Sequence, residues 1–143
     1  MQTLRLKSAL LLLVAGFWLW MPATPVVAAD GDPYLGSWTG TWVGDDGSGG
    51  QFQLNLERGS DGKVTGSIAV SQEGGSDYTA KLKSADFTGN NFSAAYEPPD
   101  GGSQINLKGT FTPQGGSGEW SLHAKDQPSG PAVATGTWKI AKK

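Results

Sequence analysis

The sequence contains no cysteine and only one histidine in its 143 residues. Without cysteine there is no disulfide, no thiolate metal ligand and no cysteine nucleophile, so core burial and hydrogen bonds alone must hold the domain together. The histidine, His123, alternates with Trp120, Leu122 and Ala124 in a way that puts it on the opposite, exposed face. Catalysis by histidine needs an oriented partner within reach, so we expect that the protein is not an enzyme.

Positive charge is also scarce. Lysine and arginine number 11 against 13 aspartates and glutamates, which gives a formal net charge of −2. Nucleic-acid binding needs a surplus of basic residues, so we expect no nucleic-acid partner. Asp45 and Asp46 lack the spacing of a cation-binding loop, and no helix follows the glycine-rich loops to bind a phosphate. We therefore expect neither a metal nor a cofactor.

Long apolar runs are missing except at the beginning of the chain. Residues 1–7 include Arg5 and Lys7, residues 8–20 are apolar, and two prolines precede a Val-Ala-Ala site. This order is typical of a secretory signal peptide, and the run is shorter than the about 20 residues of a membrane-spanning helix. We expect residues 1–29 to be a signal peptide, and the alternative is an uncleaved membrane anchor.

The remainder, residues 30–143, has the size of one domain. A cleaved signal peptide implies that this domain is secreted or periplasmic and that the mature form does not span a membrane. It also removes two basic residues, which increases the acidic excess of the mature chain.

Glycine and tryptophan are abundant, with 22 and 6 residues. They are densest in Gly36-Ser-Trp-Thr-Gly-Thr-Trp42, where alternate residues share one face of a strand. Trp38 and Trp42 therefore lie on the same side as Gly36, which precedes them, and Gly40, which lies between them. The motif predicts the first strand of a small barrel whose tryptophan side faces inward.

Period-two alternation of apolar and polar residues continues along the whole domain. The predicted strands are Leu35–Val43, Gln51–Arg58, Lys63–Ser71, Tyr78–Lys83, Phe92–Tyr96, Ser103–Thr112, Gly118–Lys125 and Ala132–Ile140. Seven turn signals separate them, and no segment has the period of a helix. The sequence predicts an all-β fold, an eight-stranded antiparallel up-and-down barrel.

A glycine two residues before a large apolar side chain recurs at Gly40, Gly66, Gly109, Gly118 and Gly136. Glycine weakens a strand, so its repeated use needs a reason. An inward-facing glycine lets a strand of a barrel bend, while the neighbouring ring covers its bare backbone. Gly118 is the exception, because its position favours the beginning of a strand.

The segment Leu35–Ile68 resembles the opening of calycin-type barrels of the secreted bacterial kind. It contains LGSWTGTW, a glycine-rich loop, an alternating strand and GKVTGSI. Avidins and lipocalins share the Gly-x-Trp first strand, and the resemblance implies a barrel that binds a small ligand. Avidins have a ligand-binding tyrosine in place of Ile68, and only Ser48 matches their loop donors, so biotin is not implied. Lipocalins have a basic residue late in the chain whose side chain covers the first-strand tryptophan. Lys139 is late in this chain, but it alternates with Trp138 and therefore points to the opposite face.

Aromatic side chains are the candidate ligand-binding residues: Trp38, Trp42, Tyr78, Tyr96, Trp120 and Trp138. An eight-stranded barrel is just wide enough to be filled by its own side chains or to hold one small ligand. The number of inward apolar residues favours a filled interior, in which a ligand binds only at one end above an aromatic side chain.

Two functions remain open. One is a non-catalytic barrel that binds a small apolar or amphipathic ligand. The other is a protein-interaction module, such as a secreted protease inhibitor or a cell-envelope docking domain, which binds a protein partner through the loops at residues 44–50 and 97–102. A cavity large enough to hold a ligand favours the first function, and a filled barrel with an extended ordered loop favours the second.

The mature protein should begin at or near Asp30, because cleavage follows the small residues at the end of the leader. The intact mass of protein recovered from the periplasm or the medium measures this. Recovery of the full-length chain in the membrane fraction would contradict the prediction and favour the anchor.

Overall fold

The computed structural model describes residues 31–143. The predicted signal peptide, residues 1–29, lies outside the described residues. Within 31–143 no helix is long and apolar enough to cross a membrane.

Eight strands follow a short 3-10 helix at Asp32–Tyr34. They are β1 Gly36–Gly44, β2 Gly49–Arg58, β3 Val64–Gln72, β4 Tyr78–Thr88, β5 Asn91–Tyr96, β6 Ser103–Phe111, β7 Gly115–Ala124 and β8 Ala134–Lys142. Each strand pairs antiparallel with the next, and β8 returns to pair with β1. The predicted eight-stranded up-and-down barrel is confirmed.

One end of the barrel is filled by rings that we call the aromatic floor: Tyr34, Trp38, Phe87, Phe92, Phe111 and Trp138. Phe111 lies at their centre, with its ring centroid 5.1 Å from that of Trp38 and 5.2 Å from that of Phe87. The Trp38 side chain is fully buried, and its indole N–H donates to the Tyr34 carbonyl at 2.9 Å. The 3-10 helix thereby closes this end.

Lys142 lies over the first-strand tryptophan. Its Nζ is 4.5 Å from the centre of the Trp38 ring, and it also donates to the Leu35 carbonyl oxygen. The β1–β8 register makes Trp38 and Lys142 direct partners, so both side chains point to the same side of the sheet. Lys139 pairs instead with Thr41 on the outer face.

Strand β4 differs from its prediction. We expected it to end at Lys83, but it continues to Thr88. The pairing with β5 shifts register between Leu82 and Ser84, and such a bulge reverses the alternation. Ala85 and Phe87 therefore face inward after Leu82, although their parity is opposite. The prediction ended the strand too early because the alternation of its first half stops at this bulge.

Gly118 lies within β7, so the expectation that it begins a strand was wrong. It pairs directly with Gly109 of β6, and the Trp138 ring covers both. A Cβ atom at either glycine would lie 2.6 Å from Cζ2 of Trp138, closer than side chains tolerate. The two glycines therefore make room for the indole that forms the top of the aromatic floor.

Gly118→Ala should destabilise the barrel by about 1–3 kcal/mol, because the new methyl group overlaps the Trp138 ring and the carbonyl oxygen of Lys108. The matched control is Gly102→Ala, where nothing lies within 4 Å of the new atom and the change should stay within about 0.5 kcal/mol. Urea unfolding followed by tryptophan emission measures both. Equal stabilities of the two variants would disprove the close approach.

Candidate functional site

A cavity opens at the end opposite to the aromatic floor. Its volume is about 340 Å³, which falls near the lower limit of the roughly 300–1,000 Å³ of small-molecule sites. The connections at residues 45–48, 73–77, 97–102 and 125–133 surround its opening, which we call the mouth. The interior is thus filled at one end and open at the other. The sequence analysis favoured an interior that is filled by side chains, with a ligand bound only at one end.

Five of the six predicted aromatic residues line this cavity: Trp42, Tyr78, Tyr96, Trp120 and Trp138. Trp38 does not line it and belongs to the aromatic floor. Trp38 and Trp42 share a face of β1, but four residues of strand separate them by about 13 Å along the chain. Strand parity shows that both side chains point inward. Their separation along the strand places Trp38 in the floor and Trp42 at the cavity.

The three indoles of the cavity have no spare hydrogen-bond donor. Each ring N–H already donates to a backbone carbonyl: Trp42 to Ser71 at 3.3 Å, Trp120 to Val43 at 3.1 Å and Trp138 to Glu119 at 3.0 Å. These bonds fix the orientation of the rings. The tryptophans therefore offer a ligand only apolar edges and ring faces.

Two of these rings form one wall of the cavity. Trp42 and Trp120 meet edge to face, with centroids 5.7 Å apart and planes at 86°. Gly136 of β8 allows this arrangement, because a Cβ atom there would lie 2.6 Å from Cε2 of Trp120. Gly136, two residues before Trp138, thus makes room for the Trp120 ring of the neighbouring strand β7. Strand parity alone did not indicate this contact.

Two tyrosines form a polar pair in the wall. The hydroxyl oxygens of Tyr78 and Tyr96 lie 3.0 Å apart, and Tyr96 is only 4% exposed. Burial raises the pKa of both phenols, and the negative charge of Asp100 adds to the increase in the pKa of Tyr78. Both stay protonated at neutral pH. One hydroxyl donates to the other, whose own hydrogen remains available to a ligand.

The mouth is polar. The sequence analysis placed none of its residues in the small-ligand site, and considered the loops at residues 44–50 and 97–102 only for a protein partner. The polar residues of the mouth are Asp46, Ser48, Gln72, Glu73, Asp100 and Ser103. All lie in or beside connections between strands, and a sequence shows only that these are turns. In an up-and-down barrel every second connection reaches the same end. This rule could have predicted from the sequence which turns lie together at the mouth. Residues 31–143 contain no group of three His, Cys, Asp or Glu side chains suited to hold a metal.

His123 is half-buried, so the expectation that it is exposed was wrong. One ring nitrogen lies 2.8 Å from the Ser121 hydroxyl and the other 3.0 Å from the Gly130 carbonyl oxygen. The connection between β7 and β8 passes beside it and covers it. Its position is nevertheless outside the cavity lining.

The sequence matches no protein-family model and no curated protein. Its fold is similar to that of designed β-barrels. EF1p2_mFAP2b bound to DFHBI has a TM-score of 0.64 at 14% identity, over 80% of this chain and 97% of that one. The redesigned barrel mFAP1 bound to DFHBI has a TM-score of 0.59 at 17% identity, over 81% of this chain and all of that one. At these identities the similarity concerns the fold.

The stability of the barrel should fall above about pH 10, where an unfolded tyrosine ionises. Folded Tyr96 retains its proton because burial raises its pKa, so the unfolded state alone loses a proton as the pH increases. The free energy of unfolding is unaffected below about pH 10 and should then fall by up to about 1.4 kcal/mol per pH unit for each such tyrosine.

Tyr96→Phe should reduce that slope, and urea unfolding between about pH 9 and 11 measures it. The free energy of unfolding of the same variant at pH 7 gives the cost of losing the Tyr78–Tyr96 hydrogen bond, which is subtracted at every pH. Parallel pH curves for the two proteins would show that Tyr96 is not held neutral by burial.

Proposed function

We propose that this chain is a secreted, non-catalytic binding protein whose calycin-like barrel takes up a small apolar or amphipathic ligand through its mouth. The observation that carries the proposal is the cavity of about 340 Å³ beneath the mouth, lined by six aromatic rings, Phe52 among them. The remainder of the interior is closely packed in the aromatic floor.

The form of the cavity supports a ligand with an apolar body. Concave sites with mainly apolar walls and a few convergent polar groups are typical of small-molecule binding. Here the convergent polar group is the Tyr78–Tyr96 hydroxyl pair. Two structurally similar proteins are designed barrels that bind the small fluorophore DFHBI, which supports the capacity of a barrel of this kind to hold a small organic molecule.

The calycin-like part of the proposal is supported by the contact between Lys142 and Trp38. The resemblance to lipocalins implies a late basic side chain over the first-strand tryptophan, and Lys142 lies 4.5 Å above that ring. Secretion is supported by the signal-peptide pattern of residues 1–29.

The absence of a catalytic role is supported by the groups around the cavity. Of the residues described in 31–143, those lining the cavity include no histidine and no lysine. The tyrosines are kept protonated by burial, and His123 is bonded to Ser121 and Gly130 away from the cavity. The lining hydroxyls of Ser48 and Ser103 are bonded to carboxylates. A carboxylate with a lowered pKa, as at Asp46, is a weak base towards serine.

A second candidate function, protein docking, has one observation in its favour. The large hydrophobic side chains exposed among residues 31–143 are Val43, 53% exposed, and Val133, 72% exposed. Val43 is near the end of β1 at the mouth, and Val133 lies in the connection between β7 and β8. Exposed apolar groups beside a cavity are also suited to a protein partner.

Ala134→Phe should abolish most ligand binding, because Ala134 lines the cavity and a phenyl ring there occupies its volume. We expect the apolar probe N-phenyl-1-naphthylamine to bind the unmodified protein with about micromolar affinity, worth about −8 kcal/mol, and to quench its tryptophan emission. The substitution should weaken binding at least about tenfold, which corresponds to about 1.4 kcal/mol.

The matched control is Ala141→Phe, on the exposed outer side of β8 near the aromatic floor, which should bind the probe unchanged. If the unmodified protein neither binds the probe nor changes its tryptophan emission, the small-ligand function fails. Val43, Val133 and the connections of the mouth then become the surface to test for a protein partner.

A further inference from the structure

Acidic residues are concentrated at the mouth. The four connections that surround it contain seven aspartates and glutamates and one lysine, Lys125. At the opposite end, Asp32 and Asp61 are balanced by Lys63 and Lys143 in and beside the connections. The negative charge of this barrel is therefore located where a ligand would enter.

Three of these carboxylates line the cavity itself: Asp46, Glu73 and Asp100. Within residues 31–143 no arginine, lysine or histidine is among the cavity-lining residues. Lys83 and Lys125 both contact Glu97, at 2.9 and 3.4 Å. The three lining carboxylates thus have no ion pair among those that the described part of the chain forms.

Local hydrogen bonds hold two of these carboxylates in place. Asp46 accepts bonds from the Ser48 backbone N–H and hydroxyl, which keep the pKa of Asp46 below its usual value. Asp100 accepts bonds from the Gly102 N–H at 3.0 Å and the Ser103 hydroxyl at 3.2 Å. These donors are neutral, so they orient the carboxylates without cancelling their charge.

The aromatic wall below the mouth favours the same sign of charge. The face of an indole ring carries negative partial charge and attracts cations. The N–H groups of Trp42 and Trp120, which would attract an anion, are already bonded to backbone carbonyls. A carboxylate or phosphate on a ligand would be repelled by the acidic side chains and would find no free indole N–H. An ammonium group would be attracted by those side chains and by the faces of the rings.

From these observations we infer that the ligand is a cationic amphiphile, with an aromatic or alicyclic body inside the cavity and an amine or quaternary ammonium group at the mouth. The inference rests on the proposed function, since it names the chemical class that the same cavity takes up. It also excludes fatty acids and other anionic amphiphiles as preferred ligands.

The test compares three ligands that share one body: 1-naphthylmethylammonium, 1-naphthylmethanol and 1-naphthoate. Isothermal titration calorimetry at low salt should give the tightest binding for the cation, the weakest for the anion and about a tenfold ratio between these two. The ratio should shrink in about 0.5 M salt, because screening shortens the range of the mouth charges.

A triple variant tests the source of the preference. Asp46→Asn, Glu73→Gln and Asp100→Asn each keep an acceptor oxygen and remove the charge, so the cation should lose its advantage over the neutral alcohol. The matched control removes three exposed carboxylates outside the cavity lining, at Glu57, Asp61 and Asp86, by the same amide substitutions. This control has the same net charge as the first variant and should keep the preference.

The other outcomes distinguish failure of the cationic inference from failure of the proposed function. Equal binding of the three naphthyl ligands, or tightest binding of the anion, would overturn the cationic inference and leave the proposed function intact. Loss of the preference in the control variant would assign it to net charge rather than to the mouth, and so would also overturn the inference. If none of the three ligands binds, the proposed function itself fails.

Discussion

The hydrogen-bonded pairing of β1 with β8 is the constraint on which the rest of this structure depends. It joins the first and last strands of a domain that has no disulfide, and it leaves neither strand with an open edge. The same register sets Trp42 beside Trp138 at the cavity and Trp38 beside Lys142 at the opposite end. Closure of the sheet and the separation of its two ends are therefore consequences of one alignment.

A single set of strands forms both a packed floor and an open cavity because ring size and glycine position vary along them. In the floor, Phe111 contacts rings on several sides, and the paired glycines Gly109 and Gly118 admit the Trp138 ring. Towards the mouth, the hydrogen bonds of Trp42 and Trp120 hold these rings against the wall. The cavity is consequently bounded by side chains that are fixed before a ligand enters, which reduces the entropic cost of binding.

Much of the fold could be predicted from alternation alone, because inward and outward residues repeat with a period of two along every strand except at the bulge of β4. That bulge, between Leu82 and Ser84, reversed the parity and concealed the inward position of Phe87. The site was harder to predict. Parity indicated that Trp38 and Trp42 both face inward, but their assignment to different ends depends on barrel geometry. The cover of Lys142 over Trp38 and the acidic mouth depend on register and on the convergence of distant connections, which are tertiary properties.

The unequal distribution of charge between the two ends gives the molecule an electric dipole along the barrel axis. Its negative pole coincides with the mouth, since the four connections there contain seven acidic residues and one lysine. Long-range fields orient a charged molecule before contact is made. Beside an anionic surface, such as a membrane rich in acidic lipids, this barrel would turn its mouth towards the solvent, and the floor with its terminal lysines would face the surface.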